Sequence, residues 1–301
     1  MSGVSVFVEP EAGVQPIINA ISSAQASVWV EMYLLTNRSI MKALEEAANR
    51  GLDVRVMLET HPYGSGSASP TEALDRLRAA GIKAQPASPD FALTHEKCML
   101  IDGAIVYIMT SNFTNSALGV GSFHNREYDI VDSNAADVQA AQAIFQADWD
   151  RTQAQFNDAN LVVSPVNAHH DITALINSAQ KTLLIEGEEM QDSVIEQAII
   201  DAARRGVQVQ VILPMPNGVD SNAAGIAVIK QGGAYVREDA RLYMHAKMIA
   251  VDDRTAFVGS ENISTQSLDH NRELGIILAD QEVITTLQQT FQQDWGDSQD
   301  V

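Results

Sequence analysis

The 301-residue chain carries one pattern twice. Ser27-Val-Trp-Val-Glu-Met-Tyr and Thr182-Leu-Leu-Ile-Glu-Gly-Glu set Glu31 opposite Glu186, an offset of 155 residues. At the same offset Glu46-Ala-Ala-Asn-Arg-Gly51-Leu-Asp-Val-Arg-Val matches Asp201-Ala-Ala-Arg-Arg-Gly206-Val-Gln-Val-Gln-Val. His95-x-Lys97-x4-Asp102 returns as His245-x-Lys247-x4-Asp252, 150 residues on. His124-Asn-Arg-Glu127 and Phe145-Gln-x-Asp-Trp149 return 146 residues on, as His270-Asn-Arg-Glu273 and Phe291-Gln-x-Asp-Trp295. Matched blocks in one order, drifting only where loops would lie, imply a duplicated fold.

Each copy reads alike. Residues 4–8, 27–34 and 53–58 are rich in β-branched and aromatic side chains and predict strands. Residues 14–23 set Ile17, Ile18 and Ile21 on one helical face, and the helical pattern of residues 40–50 stops at Gly51. Residues 97–101 and 105–109 read as two short strands joined at Asp102-Gly103, a hairpin signal; Asp252-Asp253-Arg254 is its counterpart. Residues 134–153 read as the closing helix of the first copy. Strands alternating with helices predict α/β architecture, and the hairpins make each sheet mixed. The expectation is two α-β-α sandwich halves, residues 1–156 and 157–301, packed about a pseudo-twofold axis that brings equivalent loops together. Such a chain completes its site as a monomer, an internal pseudo-dimer.

The chemistry sits in the third block. Each copy holds His, Lys two residues on, Asp five beyond that, and Asn ten beyond the Asp: His95, Lys97, Asp102, Asn112, and His245, Lys247, Asp252, Asn262. At average usage such a set follows a given His about once in 10⁴ trials, so two in register are not coincidence. On a strand, i and i+2 share a face, so each Lys projects beside its His. Across a pseudo-dyad this gives two imidazoles, two ammonium groups and two carboxamides around one cavity. Those donors suit a tetrahedral phosphoryl group gaining charge, and the imidazoles suit a nucleophile and a general acid. Asp102 and Asp252, at turns and an odd number of residues from the His, read as structural. A zinc site is the rival for any His and carboxylate cluster, but a Lys on the same face repels a cation, so no metal or other cofactor is expected.

His-x-Lys-x4-Asp followed by a Gly-Ser-x-Asn-like segment resembles the phospholipase D superfamily, over essentially the whole chain. Gly259-Ser260-Glu261-Asn262 matches the pattern fully, whereas Met109-Thr110-Ser111-Asn112 departs from it while keeping a hydroxyl at Thr110. The resemblance implies a two-step displacement through a phosphohistidine, with His95 as nucleophile and His245 as acid. Lys97, Lys247, Asn112 and Asn262, with Thr110 and Ser260, would hold phosphate oxygens. Glu127 and Glu273 look like the family's downstream acids, which accept from the ring nitrogen remote from phosphorus. Glu31 and Glu186 could support the site from behind. His124 and His270 could line it or hold turns, and Trp149 and Trp295 read as anchors of the closing helices.

Three substrate readings remain: a phospholipid hydrolase or headgroup transferase, a nuclease using the same chemistry, and a phosphate-binding relative without turnover. The complete pair of His-Lys-Asn sets disfavours the last. A formal charge of −20 disfavours a stable nucleic-acid partner, since phosphate neutralisation supplies most such affinity. A phospholipid or other phosphodiester is therefore the expected substrate. No apolar stretch approaches the roughly 18–20 residues of a spanning helix, and no signal peptide is visible, as expected of a cytoplasmic protein or of a secreted one after processing. Synthase-like members usually carry N-terminal spans, which lowers a synthase reading and leaves a soluble transferase open beside a hydrolase. The single cysteine, Cys98, lies in an apolar run and reads as a core thiol. Four extra residues between the first motif and Glu127 fall in residues 115–123, whose two glycines suggest a mobile loop beside the cavity. Tyr63-Gly-Ser-Gly and Leu242-Tyr-Met244 could supply an apolar rim.

Overall fold

A computed structural model of the chain describes residues 3–63 and 69–301; Gly64-Ser-Gly, one of the suggested rim segments, lies outside them. The first half runs β1 (Val4–Glu9), α1 (Gln15–Ser23), β2 (Ser27–Met32), α2 (Arg38–Asn49), β3 (Asp53–Leu58), α3 (Pro70–Ala79), β4 (Lys83–Pro86), β5 (Lys97–Ile101), β6 (Ile105–Met109), β7 (Asn125–Asp132) and α4 (Ala135–Asp150). The second runs β8 (Leu161–Ser164), α5 (Ala168–Asn177), β9 (Thr182–Glu186), β10 (Met190–Gln191), α6 (Ser193–Arg204), β11 (Gln208–Pro214), α7 (Ala223–Gly232), β12 (Tyr235–Asp239), β13 (Tyr243–Met244), β14 (Met248–Val251), β15 (Thr255–Gly259), β16 (Ile263–Ser264), α8 (Thr265–Asp269), β17 (Glu273–Leu278), α9 (Gln281–Asp297) and β18 (Gln299–Asp300).

The duplication is visible in the strand order. The first sheet is β1-β7-β6-β5-β2-β3-β4 and the second is β8-β17-β15-β14-β9-β11-β12, extended at its edge by β18. In each, the strands joined through helices are parallel (β2 with β3, β3 with β4, β9 with β11, β11 with β12), and the motif hairpin is antiparallel. The sheets are mixed for the reason anticipated: crossovers need helices, whereas Asp-Gly and Asp-Asp turns let the chain double straight back. Local signals recur too. Asn37 and Asp192, 155 residues apart, cap α2 and α6 by accepting from two backbone N–H groups each. Gly51 and Gly206 end those helices at φ 86° and 89°.

Among the described residues three apolar cores hold the layers. One lies under α1, α2 and α3 on the outer face of the first sheet, and a second lies under α5, α6 and α7 on the outer face of the other. The third joins the halves: Cys98, Ile108 and Ile130 of the first sheet meet Met248, Val258 and Ile276 of the second, with Phe145 of α4 and Phe291 of α9 closing it. Trp149 and Trp295 stack on those phenylalanines at 6.0 and 5.8 Å, as anchors of the closing helices. No helix of the described residues is long and apolar enough to cross a membrane.

Candidate active site

The residues just before each motif leave their own half. Tyr243-Met244 forms β13, parallel to Asn125-Arg126 at the start of β7 in the first half. Thr94 makes an isolated parallel bridge to Arg272, just ahead of β17 in the second. Backbone bonds from His95 N (2.9 Å) and Glu96 N (3.0 Å) to Arg272 O hold that crossing. His95 consequently sits in an extended segment ahead of β5, not on the strand itself. The exchange is reciprocal, and it decides which carboxylate each imidazole meets.

Nδ1 of His95 lies 2.8 Å from Oε2 of Glu273, with Ser260 O at 3.2 Å. Nδ1 of His245 lies 2.8 Å from the Glu127 carboxylate. Each Nδ1–H therefore donates into the opposite half, which leaves Nε2 as the nitrogen able to react. Both carboxylates are fully buried and held: Glu127 accepts from Thr110 Oγ1 (2.6 Å) and Asn125 Nδ2 (2.9 Å), and Glu273 from Ser267 Oγ (2.6 Å) and Asn271 Nδ2 (3.1 Å). Burial opposes ionisation of Glu273, but His95 and then Lys97 outweigh it and hold its carboxyl below the usual range.

His95, His245, Asn112 and Asn262 line one cavity of about 340 Å³, together with Tyr33 and Glu188. Oδ1 of both asparagines is buried without a partner among the described residues. Lys97 and Lys247 lie behind the rings, 1 % and 3 % exposed, each donating at 2.5 Å to the carbonyl of its own motif histidine. Burial, reinforced by Lys247, pushes the Lys97 ammonium down to about 7. Burial also lowers the His95 imidazolium, against the pull of Glu273. The arrangement offers two imidazoles and two carboxamides to one bound anion, with two buried ammonium groups behind the rings.

Two expected phosphate contacts are corrected. Thr110 and Ser260 are fully buried and do not line the cavity. Thr110 Oγ1 is taken by Glu127 and by Tyr128 N (2.8 Å), and Ser260 Oγ accepts from Leu274 N at 3.1 Å. They brace the carboxylate-bearing strands because β6 and β15 pair with β7 and β17, which turns these hydroxyls into the sheets. Asp102 accepts from the backbone N–H groups of Gln25, Ala26 and Ser27 at 2.9, 2.7 and 2.8 Å. Asp252 does the same for Gln180, Lys181 and Thr182 at 2.7, 2.7 and 2.9 Å. Both are turn staples remote from the cavity. His124 bonds Gly121 O at 2.9 Å and His270 is exposed, so both belong to turns.

Beneath the site the halves are locked by a second exchange. Arg126 donates to Asp294 of α9 at 2.5 and 2.8 Å, and Arg272 donates to Asp148 of α4 at 3.1 Å with a second ion-pair contact at 2.8 Å. Glu31 and Glu96 lie beside Asp148 and are pushed up by burial, Glu96 to about 8. Glu186, likewise buried and raised, accepts from Tyr128 Oη at 2.5 Å. The suggested mobile loop borders a second cavity of about 650 Å³ through Ser116 and Phe123, yet Ala117 and Leu118 within it are fully buried. That cavity shares Leu34 and Asn112 with the first, and is also lined by Leu242 and Tyr243, while Met244 belongs to the core.

Sequence reasoning missed Glu188. It stands at the position of Tyr33 in the duplication, so the signal was an acid where the first copy has an aromatic. Glu188 Oε2 accepts from Lys247 Nζ at 2.8 Å and lies 3.5 Å from Nε2 of His245, while Oε1 accepts from Tyr243 Oη at 3.0 Å. Burial opposes its ionisation, but His245 and Lys247 hold it well below the usual carboxylate range. Tyr33 instead sets its ring edge-on to His95, 4.7 Å between centroids.

The family model described as "Cardiolipin synthase, PLD-like domain" matches residues 17–149 and again 172–295, once per half. A cardiolipin synthase of Oceanobacillus iheyensis is 24 % identical over 97 % of this chain and 68 % of its own length. A probable cardiolipin synthase of Bacillus subtilis is 24 % identical over 99 % of this chain and 67 % of its own. Among solved structures, phosphatidylserine synthase of Haemophilus influenzae superposes with a TM-score of 0.74 at 15 % identity, covering 99 % of this chain and 87 % of that one. Polyphosphate kinase of Porphyromonas gingivalis reaches 0.74 at 18 %, covering 96 % of this chain and 46 % of that one. At such identities these two likenesses speak for the fold alone. With two matched repeats spanning most of its length, the chain belongs to the phospholipase D superfamily, within its family of cardiolipin synthase PLD-like domains.

Proposed function

We propose that the protein cleaves or transfers the phosphodiester of a phospholipid through a phosphohistidine. The observation that carries this reading is that both imidazoles open into one cavity, each with Nδ1 held by a carboxylate of the other half. In the first step Nε2 of His95 forms a bond to phosphorus as the bond to the leaving oxygen breaks, and the proton on Nε2 of His245 passes to that oxygen. Water or a second alcohol then attacks phosphorus, giving its proton back to Nε2 of His245 as the P–N bond breaks. Lys97, Lys247, Asn112 and Asn262 stabilise the charge gathering on the non-bridging oxygens. Glu273 and Glu127 hold the rings in the reactive tautomer and stabilise the charged forms.

The names of the curated relatives, cardiolipin synthases, support a phospholipid substrate and phosphodiester transfer or cleavage. The second cavity supports an apolar substituent, since Leu34, Phe123, Met215, Leu242 and Tyr243 line it next to Asn112. The test is a panel of phosphatidylglycerol, phosphatidylcholine, cardiolipin, bis-p-nitrophenyl phosphate and single-stranded DNA, each with EDTA and with or without a primary alcohol. Turnover of a phospholipid that survives EDTA and is abolished by His95→Ala and by His245→Ala is the expected result. Loss on chelation, or cleavage of the DNA alone, would overturn it.

A further inference from the structure

The site is twofold in its histidines, lysines, asparagines and Nδ1 carboxylates, but not at the position shared by Tyr33 and Glu188. On the first side Nε2 of His95 faces the cavity with the Tyr33 ring beside it. On the second side a carboxylate oxygen stands 3.5 Å from Nε2 of His245, bonded at 2.8 Å to Lys247 and fixed at its other oxygen by Tyr243 Oη. The His245 ring thus lies between two carboxylates, Glu127 at Nδ1 and Glu188 at Nε2. A neutral imidazole has one N–H and one lone pair, so it can satisfy only one of them; the doubly protonated ring satisfies both. The other charged or titratable groups about this ring are Lys247 in the same segment between β13 and β14, Tyr243 at 6.3 Å between ring centroids, Tyr33, Glu189 and His95 around the cavity, and the buried Lys97. None of these accepts a proton bond from Nε2 of His245.

We propose that Glu188 is the positioning residue that divides labour between the two histidines, keeping the proton on Nε2 of His245 so that it serves as acid and leaving the lone pair of His95 as nucleophile. The proposal rests on the phosphohistidine reading above. Glu188 is 20 % exposed in its side chain and lies on the cavity side of the ring, where the leaving oxygen must come. It is therefore a placeholder: a carboxylate stands at ion-pair distance from Nε2 and takes one donor of Lys247 until the phosphodiester displaces it from both. Nothing equivalent stands on Nε2 of His95 among the described residues, so the lone pair there is free to attack phosphorus. Proton, phosphoryl group and leaving oxygen follow the two steps already written.

The experiment compares the native protein with Glu188→Gln and with Glu188→Tyr, which restores the residue of the other half. Two substrates are used: phosphatidylglycerol, whose alkoxide leaving group needs a proton, and bis-p-nitrophenyl phosphate, whose phenolate does not. Loss of proton donation should reduce kcat on the phospholipid by about 10²-fold and leave the aryl diester nearly unaffected. Phosphopeptide mapping at alkaline pH should find the phosphoryl group on His95 alone in the native protein, and on both His95 and His245 in Glu188→Tyr. Equal losses on both substrates, no loss on either, or mapping unchanged in Glu188→Tyr would overturn the role of Glu188 while leaving the phosphohistidine intact. A native protein that turns over substrate with no phosphohistidine would remove the underlying reading and this inference with it.

Discussion

Oε2 of Glu273 accepts a hydrogen bond of 2.8 Å from Nδ1 of His95, although 178 residues separate the two. Glu127 holds His245 in the same way across 118 residues. Neither half holds a complete histidine–carboxylate pair.

That exchange sets the first prediction. Glu273→Gln and Glu127→Gln keep the shape of the side chain but lose the charge, and an amide can turn its N–H towards Nδ1 and select the wrong tautomer. Each should lower kcat by about 10²–10⁴-fold while thermal melting moves little. Steady-state kinetics alongside a melt checks this; a mutant of native rate would refute the orienting role.

A second prediction concerns anion binding. Lys97 is pushed down to about 7 by burial and by Lys247, so it is charged below that pH and neutral above it. The His95 imidazolium is lowered chiefly by burial, against the pull of Glu273. Sulfate, which does not titrate there, should bind more weakly as the pH rises above 7, by at most about tenfold per unit. Lys97→Met should bind weakly throughout and flatten the dependence. Calorimetric titration between pH 6 and 9 on the order of half-unit steps reads the slope.

The two motif aspartates should matter for stability and not for chemistry. Asp102→Ala removes an acceptor from three backbone N–H groups and also puts alanine at a φ of 55°. A loss of about 1–2 kcal/mol is expected, with kcat unchanged. Burial opposes the shift, but the three backbone donors outweigh it and leave the Asp102 and Asp252 carboxyls below their ordinary range. Their contribution is thus fully present above the unfolded carboxylate pKa and is lost as the pH falls through the lower folded value. Urea unfolding at neutral and acid pH should show the native protein and the Asp102→Ala variant converging in acid.

The fourth prediction tests the buried lock. Arg272→Met leaves Asp148 buried beside Glu31 and Glu96 without its cation and should cost about 3–5 kcal/mol. Adding Asp148→Leu removes the orphaned carboxylate and should recover much of that loss. Chemical denaturation of the single and double variants measures the coupling, and additive losses would count against it.

Much of this was legible in the order of the residues. The repeat spacing, the strand and helix periodicities, the Asp turns, the His and Asn that line the cavity and the Lys behind them are all local patterns, and the backbone rules that produce them act over a few residues. Thr110 and Ser260 were misplaced because a motif resemblance gives the order of the residues and not the direction in which pairing with β7 and β17 turns each hydroxyl. What folding alone decided is partnership. Leu93-Thr94 and Tyr243-Met244 each cross to the edge of the other half, and only that long-range pairing sets His95 against Glu273, His245 against Glu127 and Glu188 against Nε2 of His245. A duplicated sequence offers each histidine two equivalent glutamates at any spacing; burial of one continuous core between the two sheets selects which of them arrives within hydrogen-bonding distance.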